Sequence, residues 1–144
     1  MKYILFVSIL LLLIISFIII HIAAPYVVLQ PPRVNHAITP QQFGLKHELV
    51  NIEVAPNLDL NGYWLQTATD TVRGIIIFAH GVGGCKESYL GVAQKLANRG
   101  IESILVDSRA HGESEGYFCT YGFYESQDVS KIIDYIQTKQ PDLP

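Results

Sequence analysis

Residues 73–116, RGIIIFAHGVGGCKESYLGVAQKLANRGIESILVDSRAHGESEG, decide the fold. Gly74–Ala79 is a continuous apolar run rich in β-branched side chains, the pattern of a strand buried on both faces, and is expected as a central parallel strand. His80-Gly81-Val82-Gly83-Gly84 follows as a glycine-rich turn. From Ser88 the period changes. Tyr89, Val92, Ala93, Leu96 and Ala97 recur at three- and four-residue spacing and Gly100 stops the run, which predicts a helix of about three turns. Ile101–Val106 is then a second strand ending at Asp107. Strand, right-handed crossover helix and parallel strand make a βαβ unit.

Upstream, Glu48–Val54 alternates polar and apolar residues, Ala55-Pro56-Asn57 turns the chain, and Leu60–Ala68 carries Tyr63, Trp64 and Leu65. An antiparallel hairpin is the simplest reading. Downstream, a glycine- and tyrosine-rich loop leads to Val129, Ile132, Ile133 and Ile136, which mark a second amphipathic helix. Glu125 and Asp128 stand near its N-terminal end, where the helix dipole favours them. Gln140–Pro144 reads as a turn leading toward a further strand.

The first residues are of another kind. From Tyr3 to Ala24 the chain is apolar except for Ser8, Ser16 and His21. Such a run matches the ~20 residues that cross a ~30 Å hydrocarbon core and exceeds the ~7–15 of a signal-peptide core. A single-pass anchor over residues 1–24 is therefore preferred to a cleaved signal, whose cut after Ile22-Ala23-Ala24 would fall just before Pro25. Lys2 lies closer to the span than Arg33 or Lys46, which favours a cytosolic N-terminus and a body on the extracytoplasmic side. Residues 25–44, with Pro25, Pro31, Pro32 and Pro40, read as an extended connector, leaving 45–144 for the domain.

Of 144 residues, about 120 remain outside the apolar run, room for one modest domain. A net charge of −3 gives no basic patch for nucleic acid. Cys85 and Cys119 have no metal-ligand spacing. They are either two free thiols or, if their turns share one end of the sheet in an oxidising compartment, a bridge. No metal, nucleotide or flavin motif is visible, and Gly81–Ser88 lacks the G-x-x-x-x-G-K-[ST] spacing of a phosphate loop.

The chemistry concentrates after the strands. Glycines at 81, 83 and 84 let backbone N–H groups face a cleft at the C-terminal end of a parallel strand, as stabilising an oxyanion requires. His80 and His111 are expected to brace their own turns through backbone hydrogen bonds. Asp107 and Arg109 either pair across their turn or stand as solvated loop charges. Gly112-Glu113-Ser114-Glu115-Gly116 matches the G-x-S-x-G signature of a nucleophile elbow. That elbow needs a sharp turn directly between strand and helix, whereas Ser114 lies well past Asp107 in a continuing loop. Its acidic neighbours Glu113 and Glu115 also oppose a developing alkoxide.

His80-Gly81-Val82-Gly83-Gly84, Ala97-Asn98-Arg99-Gly100 and Asp107-Ser108-Arg109-Ala110-His111-Gly112-Glu113-Ser114 together resemble the α/β hydrolase superfamily, in its serine-aminopeptidase-like or lysophospholipase-like branch. The likeness spans about Glu48 to Gln137, with one departure at Ala110, where relatives usually carry glycine. It implies an α/β fold whose N-terminal part, a hairpin followed by the βαβ unit, stands here behind one transmembrane helix. It also implies a cofactor-free serine hydrolase of small ester or amide substrates. Within it Val82 would donate one oxyanion-hole N–H, shaped by His80, Gly81 and Gly83. The family's triad runs Ser, Asp or Glu, then His, yet no histidine follows His111, so the triad is expected beyond Pro144 and no catalytic residue is assigned within the chain. Three readings stay open: part of a membrane-anchored hydrolase, a catalytically silent fragment, or a tethered interaction module.

Overall fold

The computed structural model describes residues 2–141, which fall into two units, one ending at Gln30 and one beginning at Pro31. The expected turn at the C-terminus therefore lies largely outside the described residues.

The first unit is a single run of helix: α1 (Lys2–Ile18), a π-helical turn (Ile19–Ala23) and α2 (Ala24–Leu29). No side chain along it is buried, and its mean hydropathy reaches 3.2 over an 18-residue window. By length and composition it can cross a bilayer. The helix passes through Pro25 instead of ending before it. Proline cannot donate to the carbonyl four residues back and its ring crowds that carbonyl. The wider turn just ahead of Pro25, in which the Ala24 N–H bonds Ile19 C=O, accommodates both faults. The residues read as the start of an extended connector are thus helical to Leu29.

The rest of that connector is only partly extended. Pro40–Phe43 forms a 3₁₀ turn closed by a capping box, with the Thr39 N–H donating to Gln42 Oε1 at 3.2 Å. Gly44 ends it in the left-handed region.

The second unit is a four-stranded mixed sheet between two helices. The strands are β1 (His47–Ala55), β2 (Leu58–Leu65), β3 (Gly74–Ala79) and β4 (Ile101–Val106), in the order β1-β2-β4-β3. β1 and β2 are the expected hairpin, with Val50 opposite Gly62 and Ile52 opposite Leu60. β2 runs antiparallel to β4, and β4 parallel to β3, with Ala79 level with Val106. Strand alternation divides the core. Val50, Ile52, Leu60, Trp64, Ile104 and Val106 face α4 (Glu125–Lys139) through Ile132. Leu65 and Leu105 face α3 (Leu90–Ala97) through Leu90, Ala93 and Ala97. Lys86–Tyr89 enters α3 as a 3₁₀ turn, so the α-helical part is shorter than the periodicity suggests.

One strand assignment needs correction. β4, not β3, is the central strand here, and its residues from Glu102 to Val106 are all buried. β3 pairs with β4 alone among the described residues and is partly exposed, Ile76 at 38 %. A short apolar run cannot distinguish a central strand from its neighbour, because both carry the same β-branched residues.

Gly62 is required by close approach. A Cβ there would stand 2.5 Å from the Leu105 carbonyl oxygen and 2.9 Å from Val106 Cγ1, so β2 could not lie against β4. On the α4 face a buried polar group is satisfied: Trp64 Nε1 donates to Glu102 Oε2 at 2.6 Å, and Gln140 Nε2 donates to the same oxygen at 3.1 Å.

Candidate active site

Because β3 and β4 are parallel, the turn after each leaves at the same end of the sheet, and the level of Ala79 with Val106 sets His80 beside Asp107. The two turns are stitched together by two histidines used identically. His80 Nε2 accepts the Ser108 N–H at 3.0 Å, while His80 Nδ1 lies 2.8 Å from the Gly81 carbonyl. His111 Nε2 accepts the Gly83 N–H at 3.1 Å, while its Nδ1 lies 2.9 Å from the Arg109 carbonyl. A ring nitrogen facing an N–H must offer its lone pair, and one facing a carbonyl must carry the proton. Both imidazoles are therefore neutral Nδ1–H tautomers, each spanning from its own turn to the other.

Burial pushes the His111 pKa below its ordinary value, with nearby His80 and Arg33 adding to the effect, against the opposing backbone bond to Arg109 and the charge of Asp107. Between that lowered value and the ordinary one of about 6.5, the unfolded chain binds more protons than the folded one, so stability falls as pH falls through this window. Protonation would also turn Nε2 into a donor facing the Gly83 N–H. The urea midpoint is expected to drop as the pH falls below about 6.5, and the drop to shrink in His111→Gln.

Under the histidines lies a buried charge cluster that sequence reading missed. Lys86, 1 % exposed, directs Nζ to Asp107 Oδ2 at 2.7 Å and Glu113 Oε2 at 2.8 Å, with Glu87 Oε1 at 3.4 Å. Burial alone would lower the Lys86 pKa, but the hydrogen bonds its ammonium donates to Asp107 and Glu113 outweigh it and hold the pKa above its ordinary value. Asp107, fully buried, also accepts the Lys86 N–H at 2.8 Å on Oδ1 and the Glu113 N–H at 3.0 Å on Oδ2. Gly112 makes this possible. Its φ is +46°, and a Cβ there would fall 2.2 Å from the Asp107 carboxylate.

Asp107 and Arg109 do not pair with each other, and neither is a solvated loop charge. Arg109 turns to α4 and forms a bidentate pair with Asp128, Nε to Oδ2 at 2.8 Å and Nη2 to Oδ1 at 2.6 Å, its guanidinium 5.1 Å from the Tyr124 ring centre. Glu125, expected simply to favour the helix dipole, accepts from the Thr120 N–H, the Thr120 hydroxyl and the Gly122 N–H, each at 2.7 Å. Burial raises its pKa, yet these bonds prevail and hold the carboxyl below its ordinary value. Cys85 and Cys119 are both buried free thiols, so the bridge is not made. Cys85 instead lies 3.7 Å from the Ser88 hydroxyl, and burial pushes its thiol pKa up.

Ser114 is 1 % exposed, and its Oγ is used twice: it donates to the Asp107 carbonyl at 2.6 Å and accepts the Asn61 N–H at 2.8 Å. The hydroxyl thereby ties the loop to β2. Ser114→Ala should cost about 1–3 kcal/mol by leaving a buried N–H and carbonyl unpaired, read as a lower urea midpoint. Val82 is placed differently. It is 53 % exposed at the tip of the braced turn, and among the described residues its N–H meets no acceptor.

The stretch that holds the strand, the H-G-V-G-G turn, the crossover helix and the second turn is matched in known proteins. The family described as serine aminopeptidase, S33, matches residues 70–144, just over half of the chain. The chain belongs to that family. The match begins ahead of β3 and includes both turns and α4. Among individual proteins, this S33-family chain is 31 % identical over 88 residues to YqkD of Bacillus subtilis, an uncharacterized protein, covering 61 % of the chain and 28 % of YqkD. It is 36 % identical over 66 residues to YcjY of Escherichia coli, also uncharacterized, covering 44 % of the chain and 22 % of YcjY. Among solved structures it superposes on the Pyrococcus furiosus esterase Pf2001 with a TM-score of 0.67 at 29 % identity, over 78 % of the chain and 44 % of the esterase. The lidless serine hydrolase XC6422 of Xanthomonas campestris shares the fold, with a TM-score of 0.57 at 19 % identity over 76 % of the chain and 49 % of that protein. The S33-family chain thus spans less than a third of these curated relatives and less than half of these solved structures. Ala110 has φ +62°, the left-handed region that glycine enters without strain.

Proposed function

We propose that the chain is the N-terminal part of a membrane-anchored serine hydrolase of small esters or amides. Its helix from Lys2 to Leu29 is the single-pass anchor and its body lies on the extracytoplasmic side. The observation that carries this reading is exposed Val82, whose N–H meets no acceptor among the described residues, at the tip of a turn braced by His80 and His111. A donor held in place before the substrate arrives needs no reorganisation when negative charge develops on a carbonyl oxygen, which is where such sites gain most. Gly81 and Gly83 keep side chains away from that oxygen. The nucleophile, acid and base come from residues beyond Pro144, so the 144 residues do not turn over substrate by themselves. No cofactor takes part.

Val82→Pro in the complete gene product deletes the N–H, and is expected to lower ester turnover by about 10²–10³. Val82→Ala, which keeps the N–H, should retain turnover. Equal turnover in both variants would remove Val82 from the oxyanion hole. Extraction of membranes with alkaline carbonate tests the anchor: the protein should stay in the pellet, and its release would contradict the span.

A further inference from the structure

The segment before the domain supplies an unexpected contact. Arg33 lies in the proline-rich stretch that composition reads as a tether, yet its guanidinium reaches four carbonyls of the loop after β4. Nη1 donates to Ser114 C=O at 2.5 Å, Gly112 C=O at 3.0 Å and His111 C=O at 3.4 Å, and Nη2 donates to Gly116 C=O at 2.8 Å. These acceptors converge from a loop of six residues about 80 positions away in the chain. Carbonyl dipoles turned toward one point repel each other unless a cation sits among them, and the planar fork of arginine, with five donors, suits several acceptors at once.

We propose that Arg33 is a positioning residue for the turn His80–Gly84, holding the 111–116 loop in the shape that sets the Val82 N–H. The proposal rests on the oxyanion role given to Val82 above. Two arms run from the Arg33-bound loop to the turn. One is His111, whose Nε2 takes the Gly83 N–H next to Val82 at 3.1 Å. The other is Glu113, whose carboxylate takes Lys86 Nζ at 2.8 Å just past the turn. If the loop relaxes, both arms lengthen and the turn loses its brace. Arg33 acts on the first arm by charge as well. With His80 and Asp107 it is one of the charged or titratable groups facing His111, and its positive charge favours the neutral ring whose lone pair the Gly83 N–H needs.

The test uses the full chain in detergent micelles, with Arg33→Met and Arg33→Lys. NMR follows hydrogen exchange at the Gly83 amide, the titration of the His111 ring, and exchange at Leu105, in the central strand, as a reference for global stability. In Arg33→Met, Gly83 exchange is expected to rise at least about tenfold and the His111 midpoint to move up, with Leu105 unchanged. Arg33→Lys, which keeps the charge without the fork, should restore the His111 midpoint and leave Gly83 exchange between the other two. Wild-type exchange at Gly83 in Arg33→Met would overturn the proposal, as would Gly83 and Leu105 accelerating together. Should Arg33→Met fail to fold, Arg33→Lys decides alone: faster Gly83 exchange with Leu105 unchanged supports the proposal, and unchanged Gly83 exchange overturns it. Neither readout depends on turnover. A loss of the hydrolase reading through Val82 leaves them as they stand, and a wild-type Gly83 result leaves the hydrolase reading untouched.

Discussion

Asp107→Ala is expected to cost about 3–5 kcal/mol, enough to unfold much of the domain, because it strands a buried ammonium. Lys86 Nζ would keep only Glu113 and the more distant Glu87 as counter-charges, and Glu113 is largely solvent-exposed. The Lys86 and Glu113 N–H groups would lose their acceptor at the same time. Asp107→Asn should fare little better. Asparagine offers one acceptor oxygen where two are used, and its amide would set N–H against N–H. Relief should come from removing the ammonium as well: Lys86→Met combined with Asp107→Ala is expected to be more stable than Asp107→Ala alone. Urea unfolding of the full chain in detergent, followed by Trp64 fluorescence, reads all three. A single variant Asp107→Ala with the wild-type midpoint would mean that Lys86 finds water in the folded state.

The second large effect is at Arg109. Arg109→Met leaves the carboxylate of Asp128, 3 % exposed, without its bidentate partner at the base of α4, and should cost about 3 kcal/mol or more. Because α4 covers the sheet face that holds Ile104 and Trp64, the loss should appear first as faster hydrogen exchange along α4. Arg109→Lys keeps the charge but not the two parallel bonds or the stacking on Tyr124, so only part of the stability should return. Unchanged α4 protection in Arg109→Met would show that Ile132 and its neighbours hold the helix unaided.

These two clusters also show where sequence reading stops. The hairpin, α3 and α4 are legible because periods of two and of three to four residues follow directly from which face is buried, and the breakers Pro56, Gly44 and Gly100 mark real ends. The H-G-V-G-G turn is legible because its glycines answer to local backbone needs. Lys86, Asp128 and Arg33 are not legible in the same way. A charged residue is ordinarily solvated, and each of these is buried or engaged only because a partner distant in sequence arrives at the same place: Asp107 across 21 positions for Lys86, and the 111–116 loop across some 80 for Arg33. The nearest hint for Lys86 was its place directly after the glycine turn, at the strand ends where Asp107 also emerges. Ser114 is the opposite case. A short pattern points to a nucleophile, strand-to-helix context weighs against it, and the hydroxyl bonds Asp107 and Asn61.

The most direct measurement is to label membranes of cells expressing the natural gene product with a fluorophosphonate, capture the protein with an antibody raised against residues 45–141, and map the adduct by mass spectrometry. The expected result is a single phosphonylated serine outside Met1–Pro144, with Ser114 unmodified. An adduct on Ser114, or a captured protein that carries none, would contradict the proposed function.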